Sequence, residues 1–165
     1  MNYRLEQNYL PTSYDLRLDP DIPKKVFHGR VTITFKEVKQ APYLQLHADQ
    51  SIHINSIKQG ADLTYRHEED HLIIEGDNLS SAPITIDYTG SLDQPNNGWY
   101  YVNDEVASTQ FEPVSARKAF PCFDEPAIKA EYTVSILTLP HQTALSNMPV
   151  ESKTQEGDKI LYKFQ

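Results

Sequence analysis

The 165-residue sequence predicts an all-β fold, a sandwich or barrel of many short strands with at most one or two short helical turns. Three observations lead there. Apolar and polar residues alternate with period two, turn signals recur between the alternating runs, and helical periodicity is nearly absent. The first strand is marked by Tyr14, Leu16 and Leu18 alternating with Asp15, Arg17 and Asp19. In the second, Val31, Ile33 and Phe35 alternate with Thr32, Thr34 and Lys36, bounded upstream by Gly29 and by Pro20 and Pro23. Further strands are predicted over 43–47, 52–58, 63–66, 72–75, 84–88, 99–102, 132–139 and 160–164. Turns separate them at Gln59-Gly60, Gly76-Asp77-Asn78, Gln94-Pro95-Asn96-Asn97-Gly98 and Glu156-Gly157-Asp158. The best helical stretch, 114–119, is closed by Pro113 and Pro121 and leaves room for little more than one turn.

Composition narrows the class of function. The 39% hydrophobic and 23% charged residues are ordinary for a globular domain, which argues against a disordered, fibrous or membrane-spanning chain. With 15 Lys+Arg against 23 Asp+Glu the net charge is -8, and no basic cluster stands out. Neither nucleic acid nor an anionic membrane is therefore an expected partner. Cys122 is the single cysteine, so no intrachain disulfide can form, and a reducing, cytoplasmic setting is expected. The first eight residues lack the apolar stretch of a signal peptide, and no run approaches the roughly 18 apolar residues of a membrane span. The length fits one domain, undivided by any repeat or linker. The last strand runs into Gln165 without a turn or polar tail, which reads as a cut within a longer polypeptide.

Residues 67–71, His67-Glu68-Glu69-Asp70-His71, satisfy the H-E-x-x-H pattern of zinc proteases. That chemistry needs a helix, where positions i and i+4 share a face and aim two imidazoles at one metal. Strand-like runs flank the five residues too closely for a helix, so His67, Glu68 and His71 are read as a polar hairpin tip and not as a metal site. His28, His47, His53 and His141 are scattered with no ligand spacing, and Cys122 beside Pro121 reads as a small apolar filler. No Gly-rich phosphate loop or nucleophile elbow is present. The densest segment is 107–126, with three prolines, three phenylalanines and the charges Glu112, Arg117, Asp124 and Glu125. It cannot be regular throughout. It reads either as a functional loop or as a Pro-pinned crossover in which Arg117 pairs with a carboxylate for structural reasons.

At this segment the chain resembles the amino-terminal domain of M1-family zinc aminopeptidases of the aminopeptidase N type. The resemblance is carried in family order by Leu10-Pro11, Tyr14-Asp15-Leu16, the run from Phe27 through Ile33, Leu46-His47, Tyr88-Thr89-Gly90 and Gly98-Trp99-Tyr100. It continues through residues 108–112, Ser146-Asn147-Met148-Pro149 and the most specific run, 116–127, which reads Ala-Arg-Lys-Ala-Phe-Pro-Cys-Phe-Asp-Glu-Pro-Ala.

This resemblance implies a β-rich, largely antiparallel saddle, residues 1–165, placed ahead of a thermolysin-like catalytic domain that this sequence does not contain. The family's third zinc ligand, a glutamate about 19 residues past the second histidine of the metal helix, would fall on Gly90, so residues 67–71 fail the family's own test. Gln110 and Glu112 match the family's Gln-x-Glu pair: by resemblance Glu112 binds the free α-amino group of a peptide and Gln110 lines the pocket for the first side chain. Arg117, Asp124 and Glu125 are read as supporting the loop. Zinc is implied for the complete enzyme and none for these residues, and the implied partners are peptide N-termini and the catalytic domain. The implied function is removal of N-terminal residues from peptides, the chain alone being inactive. The alternative is a non-catalytic binding or scaffolding module of the same fold. An apolar face around Phe111, Phe120 and Phe123 is expected where the catalytic domain would dock.

Overall fold

The computed structural model describes residues 4–76 and 79–165. Residues 1–3 of the N-terminal reading, and Asp77 and Asn78 of one expected turn, lie outside the described residues. The strands in chain order are β1 (Tyr9–Asp21), β2 (Val26–Glu37), β3 (Tyr43–His47), β4 (His53–Gln59), β5 (Ala61–Asp62), β6 (Thr64–Glu68) and β7 (His71–Glu75). They continue with β8 (Ile84–Ser91), β9 (Gly98–Asn103), β10 (Val106–Gln110), β11 (Glu131–Thr138), β12 (Val150–Glu156) and β13 (Lys159–Phe164). The all-β expectation holds, and pairing among the described residues is antiparallel except between β1 and β11.

Eight strands form one sheet in the order β12-β13-β11-β1-β2-β8-β4-β5, beside a three-stranded sheet β3-β7-β6 and the two-stranded ribbon β10-β9. The alternation read in the sequence is the cause of this layering. Leu16, Phe27, Val31, Ile33 and Ile86 of the large sheet join Leu44, Leu46, Leu72 and Ile74 of the small one in a single core cluster. Their polar neighbours face outward, where Arg30 pairs with Asp87 at 2.7 Å and Thr32 meets Thr85 at 3.0 Å.

Gly29, expected to bound the second strand, instead lies inside it, because β2 runs back to Val26. The reason is packing. Gly29 pairs with Tyr88 and Gly90 with Phe27, so each glycine faces an aromatic ring across the strands. A Cβ on Gly29 would stand 2.2 Å from Tyr88 Cζ, and one on Gly90 2.1 Å from Phe27 Cζ. Only hydrogen fits there, and the two rings meet edge to face at 6.2 Å.

Three strands were not expected: the two-residue β5, which pairs with β4 at the edge of the large sheet, and β10 and β12. Every residue of β12 is exposed, so the strand has no buried face and leaves no period-two signature; edge hydrogen bonds to β13 make it a strand. The strand β10 takes up the start of residues 107–126, expected to be a long loop; it pairs with β9 in a short ribbon, and the irregular part begins only after Gln110. The helical stretch expected at 114–119 shrinks to a 3-10 turn, Ala116–Lys118.

Candidate functional site

Two segments carry the motifs of interest. In the hairpin β6–β7, Glu69 at φ 52° and Asp70 make the turn. Register decides the rest: His67 pairs with Leu72 and Glu68 with His71. Cross-strand partners share a face and neighbours along a strand alternate, so His67 lies on one face of the hairpin and Glu68 and His71 on the other. His67 Nε2 sits 2.9 Å from the Ala48 carbonyl, and the His71 ring lies 5.6 Å from that of His47 in the next strand. Two histidines on opposite faces do not fit a zinc site. The turn residue that does matter is Asp70: its carbonyl accepts the Ala48 N–H at 2.9 Å, and its carboxylate lies 3.5 Å from Arg117.

The second segment starts where β10 ends. Gln110 is the last ribbon residue and Glu112 lies two residues on, both exposed. The Glu112–Pro113 peptide bond is cis. The Ser115 N–H then donates to the Phe111 carbonyl at 2.8 Å, closing the chain around Glu112 and leading into the 3-10 turn. Arg117 in that turn donates through Nε to Asp124 Oδ2 at 2.9 Å, and its backbone N–H reaches the same oxygen at 3.3 Å. Both side chains are largely shielded, 15% and 9% exposed, so this is a charge-assisted pair out of water.

Further bonds hold the far side of the loop. Cys122 and His47 exchange backbone hydrogen bonds at 2.8 and 3.0 Å. The Phe123 N–H donates to the Tyr14 hydroxyl at 3.0 Å, and the Asp124 N–H donates to His47 Nδ1 at 3.2 Å. Glu125 accepts the Leu5 N–H at 2.7 Å. Three consecutive residues are thus gripped by β1, by β3 and by the segment ahead of β1. Aromatic contacts back the loop: Phe120 meets Tyr14, Phe111 and Tyr132 edge-on, and Tyr14 stacks on Tyr132 at 4.7 Å because parallel pairing of β1 with β11 sets them side by side.

Between β10, this loop and the start of β11 lies an open recess of about 720 Å³, lined among others by Gln110, Glu112, Phe123, Glu125, Lys129 and Tyr132. Asp124 also reaches it, whereas Arg117 stands behind its wall. The structure therefore brings Gln110, Glu112, Asp124 and Glu125 to one concavity and leaves His67 and His71 apart. Burial pushes the Tyr14, Tyr132 and Cys122 acids up, so these groups are neutral at physiological pH. Cys122 is a buried filler and no nucleophile. Carboxylates on a partly apolar wall suit a cationic group.

The expected apolar face needs correction. Phe120 and Phe123 are each 4% exposed and belong to the core, because the loop folds back on the Tyr14 side of the sheet. The apolar residues left exposed near the recess are Phe111, Val114 and Tyr132. Sequence reading also missed Lys129 and Tyr132 as lining residues, and Tyr14 and His47 as the acceptors behind the wall. The alternation of Tyr132, Val134 and Ile136 carried the signal for Tyr132; Lys129 had none.

The sequence profile of the family described as the peptidase M1 N-terminal domain matches residues 10–165. Aminopeptidase M1-B of Oryza sativa subsp. japonica is 32% identical over 169 residues, covering 93% of this chain and 19% of that protein. Glutamyl aminopeptidase of Bos taurus is 30% identical over 180 residues, 95% of this chain and 19% of that protein. Endoplasmic reticulum aminopeptidase 1 of Homo sapiens is 32% identical over 180 residues, 96% of this chain and 19% of that protein. The chain spans about a fifth of the length of these curated relatives.

Proposed function

We propose that this chain, which belongs to the peptidase M1 N-terminal domain family, is the substrate-anchoring part of a zinc-dependent aminopeptidase that removes N-terminal residues from peptides. On this reading Glu112 binds the free α-amine and Gln110 lines the space for the first side chain. The metal and the general base belong to the rest of a longer polypeptide, whose catalytic domain is the partner of this one. The chain by itself is then silent.

The observation that carries the reading is that Gln110 and Glu112 line a recess together with three successive residues, Phe123, Asp124 and Glu125, each held by a hydrogen bond from or to another segment. An ammonium is best recognised by a fixed carboxylate, and fixing it decides which peptide bond meets the reacting groups. A mobile loop would bind the amine but not place the bond. Arg117, Asp124 and Glu125 have the supporting role, with Arg117 and Asp124 as an internal strut and Glu125 tied to Leu5. A cytoplasmic setting belongs to the same reading, supported by the single, buried Cys122. Among the described residues no helix is long and apolar enough to cross a membrane.

The test is Glu112→Ala in the complete enzyme. Loss of the anchor raises KM and lowers kcat/KM for aminoacyl substrates by about 10²-fold, the scale of removing one partner of a desolvated charge pair. An unchanged kcat/KM sinks the anchor role. Gln110→Ala is expected to alter the ranking of first side chains more than the overall rate.

A further inference from the structure

We propose that His47 is a positioning residue for the amine anchor, holding the backbone on either side of Glu112 through Asp124 and Arg117 without touching substrate. This inference rests on the anchor reading of Glu112.

His47 ends β3 and is 1% exposed. Along β3 the apolar side chains of Leu44 and Leu46 point into the core, while His47 lies on the opposite face with its partner His71, covered by the segment around Cys122 and Asp124. Its Nδ1 accepts the Asp124 N–H, and a ring nitrogen accepts only when it carries no proton. Burial first, then the charge of Arg117 and the neighbouring His71, hold the imidazole pKa down to about 3, so the acceptor is present at neutral pH.

From that bond the series runs on without a gap. Asp124 Oδ2 accepts both Nε and the backbone N–H of Arg117. The Arg117 carbonyl accepts the Asp49 N–H at 2.9 Å, which ties the 3-10 turn to the chain just past β3. The Ala119 N–H closes the turn on the Ala116 carbonyl at 2.8 Å, and the Ser115 N–H at its start closes on Phe111. Phe111 and Pro113 are the two neighbours of Glu112 in the chain. An aliphatic side chain would fill the space of His47 without burying a polar ring. The polar ring sits where Asp124, a wall residue of the recess, needs an acceptor for its N–H.

The experiment compares His47→Leu, His47→Gln and His47→Asn in the complete enzyme, alone and with Glu112→Ala. Asparagine puts its amide oxygen near the Nδ1 position; glutamine, like leucine, does not. His47→Leu and His47→Gln are expected to raise KM for aminoacyl substrates about tenfold with kcat within about twofold, the scale of one lost buried hydrogen bond. His47→Asn is expected to restore KM to near the parent value. In the Glu112→Ala background, His47→Leu should change KM by less than about twofold, since the group it positions is gone. Should His47→Leu fail to fold, His47→Gln carries the same comparison.

Hydrogen exchange on the 165-residue chain reads the loop independently of activity. The amides of Asp124 and Ser115 should lose protection in His47→Gln and keep it in His47→Asn, with β1 and β2 unchanged in both. Parent-like KM in His47→Gln, an equal loss in the Glu112→Ala background, or failure of His47→Asn to rescue overturns the proposal. If Glu112→Ala alone leaves KM unchanged, the anchor reading fails, and the exchange of Asp124 and Ser115 decides whether His47 holds the loop.

Discussion

The β6–β7 hairpin and the loop from Phe111 to Pro126 both carry charged side chains in recognisable patterns, yet only the loop brings them to one recess. The hairpin holds the H-E-x-x-H letters, but strand register sends His67 and His71 to opposite faces. The loop has no regular structure beyond a single 3-10 turn and one bridge to His47, yet its backbone is held by Tyr14 and His47, and its Asp124 and Glu125 carboxylates by Arg117 and Leu5. Chemistry follows convergence in space, and convergence follows the period of the backbone that carries the letters. The part of the hairpin motif that serves the loop is Asp70, one of its two unspecified positions, which meets Arg117.

The largest expected effect that separates the two regions is Arg117→Ala. It strands the Asp124 carboxylate away from water and is expected to cost about 3 kcal/mol in chemical denaturation of this chain. The hairpin counterpart is Arg66→Ala, which removes exposed pairs to Glu68 and Glu75 and is expected to cost less than about 1 kcal/mol. Equal losses would erase the distinction.

Acid should also act on the loop. The His47 pKa is depressed in the folded chain, so between its ordinary value near 6.5 and about 3 the unfolded chain binds the proton and the folded one does not. Stability from this group is therefore complete above pH 6.5 and is lost as pH falls toward 3, with a slope of at most about 1.4 kcal/mol per pH unit. The groups facing His47 are Arg117 from the turn, His71 from β7, and Cys122 and Asp124 from the loop. Denaturation midpoints across pH 7 to 4 should fall less steeply in His47→Asn than in the parent. Parallel slopes in the two proteins would remove His47 from the acid response.

A second small effect is expected in the hairpin. His67→Ala loses one hydrogen bond to the Ala48 carbonyl and should cost about 1 kcal/mol, read as a small shift of the denaturation midpoint. A loss as large as that of Arg117→Ala would make the hairpin a structural centre and not a solvated tip.

Much of this was legible in the residues because it depends on periodicity. Tyr14, Leu16, Val31 and Ile33 announced their buried face, and 43–47 was bounded as it folds. The strand β12 was illegible because a sheet edge with both faces in water imposes no alternation. Gly29 misled because its role is to accept the Tyr88 ring, a contact set by a strand far along the chain. Gln110 and Glu112 could be singled out from a family pattern, but not the recess they border. The acceptors Tyr14 and His47 lie 109 and 77 residues along the chain from their donors, and such pairings exist only after the sheets have assembled. The phenylalanines illustrate the same limit: identical letters at 111, 120 and 123 end up 36%, 4% and 4% exposed.

The most direct test of the claim that the loop is the site and the hairpin is not takes the purified 165-residue chain, dialysed against zinc-free buffer after zinc loading. Zinc content by elemental analysis and hydrolysis of aminoacyl anilides are measured on the same sample. No retained metal and no turnover are expected. One zinc per chain, lost in His67→Ala or His71→Ala, would contradict it and make the hairpin a metal site.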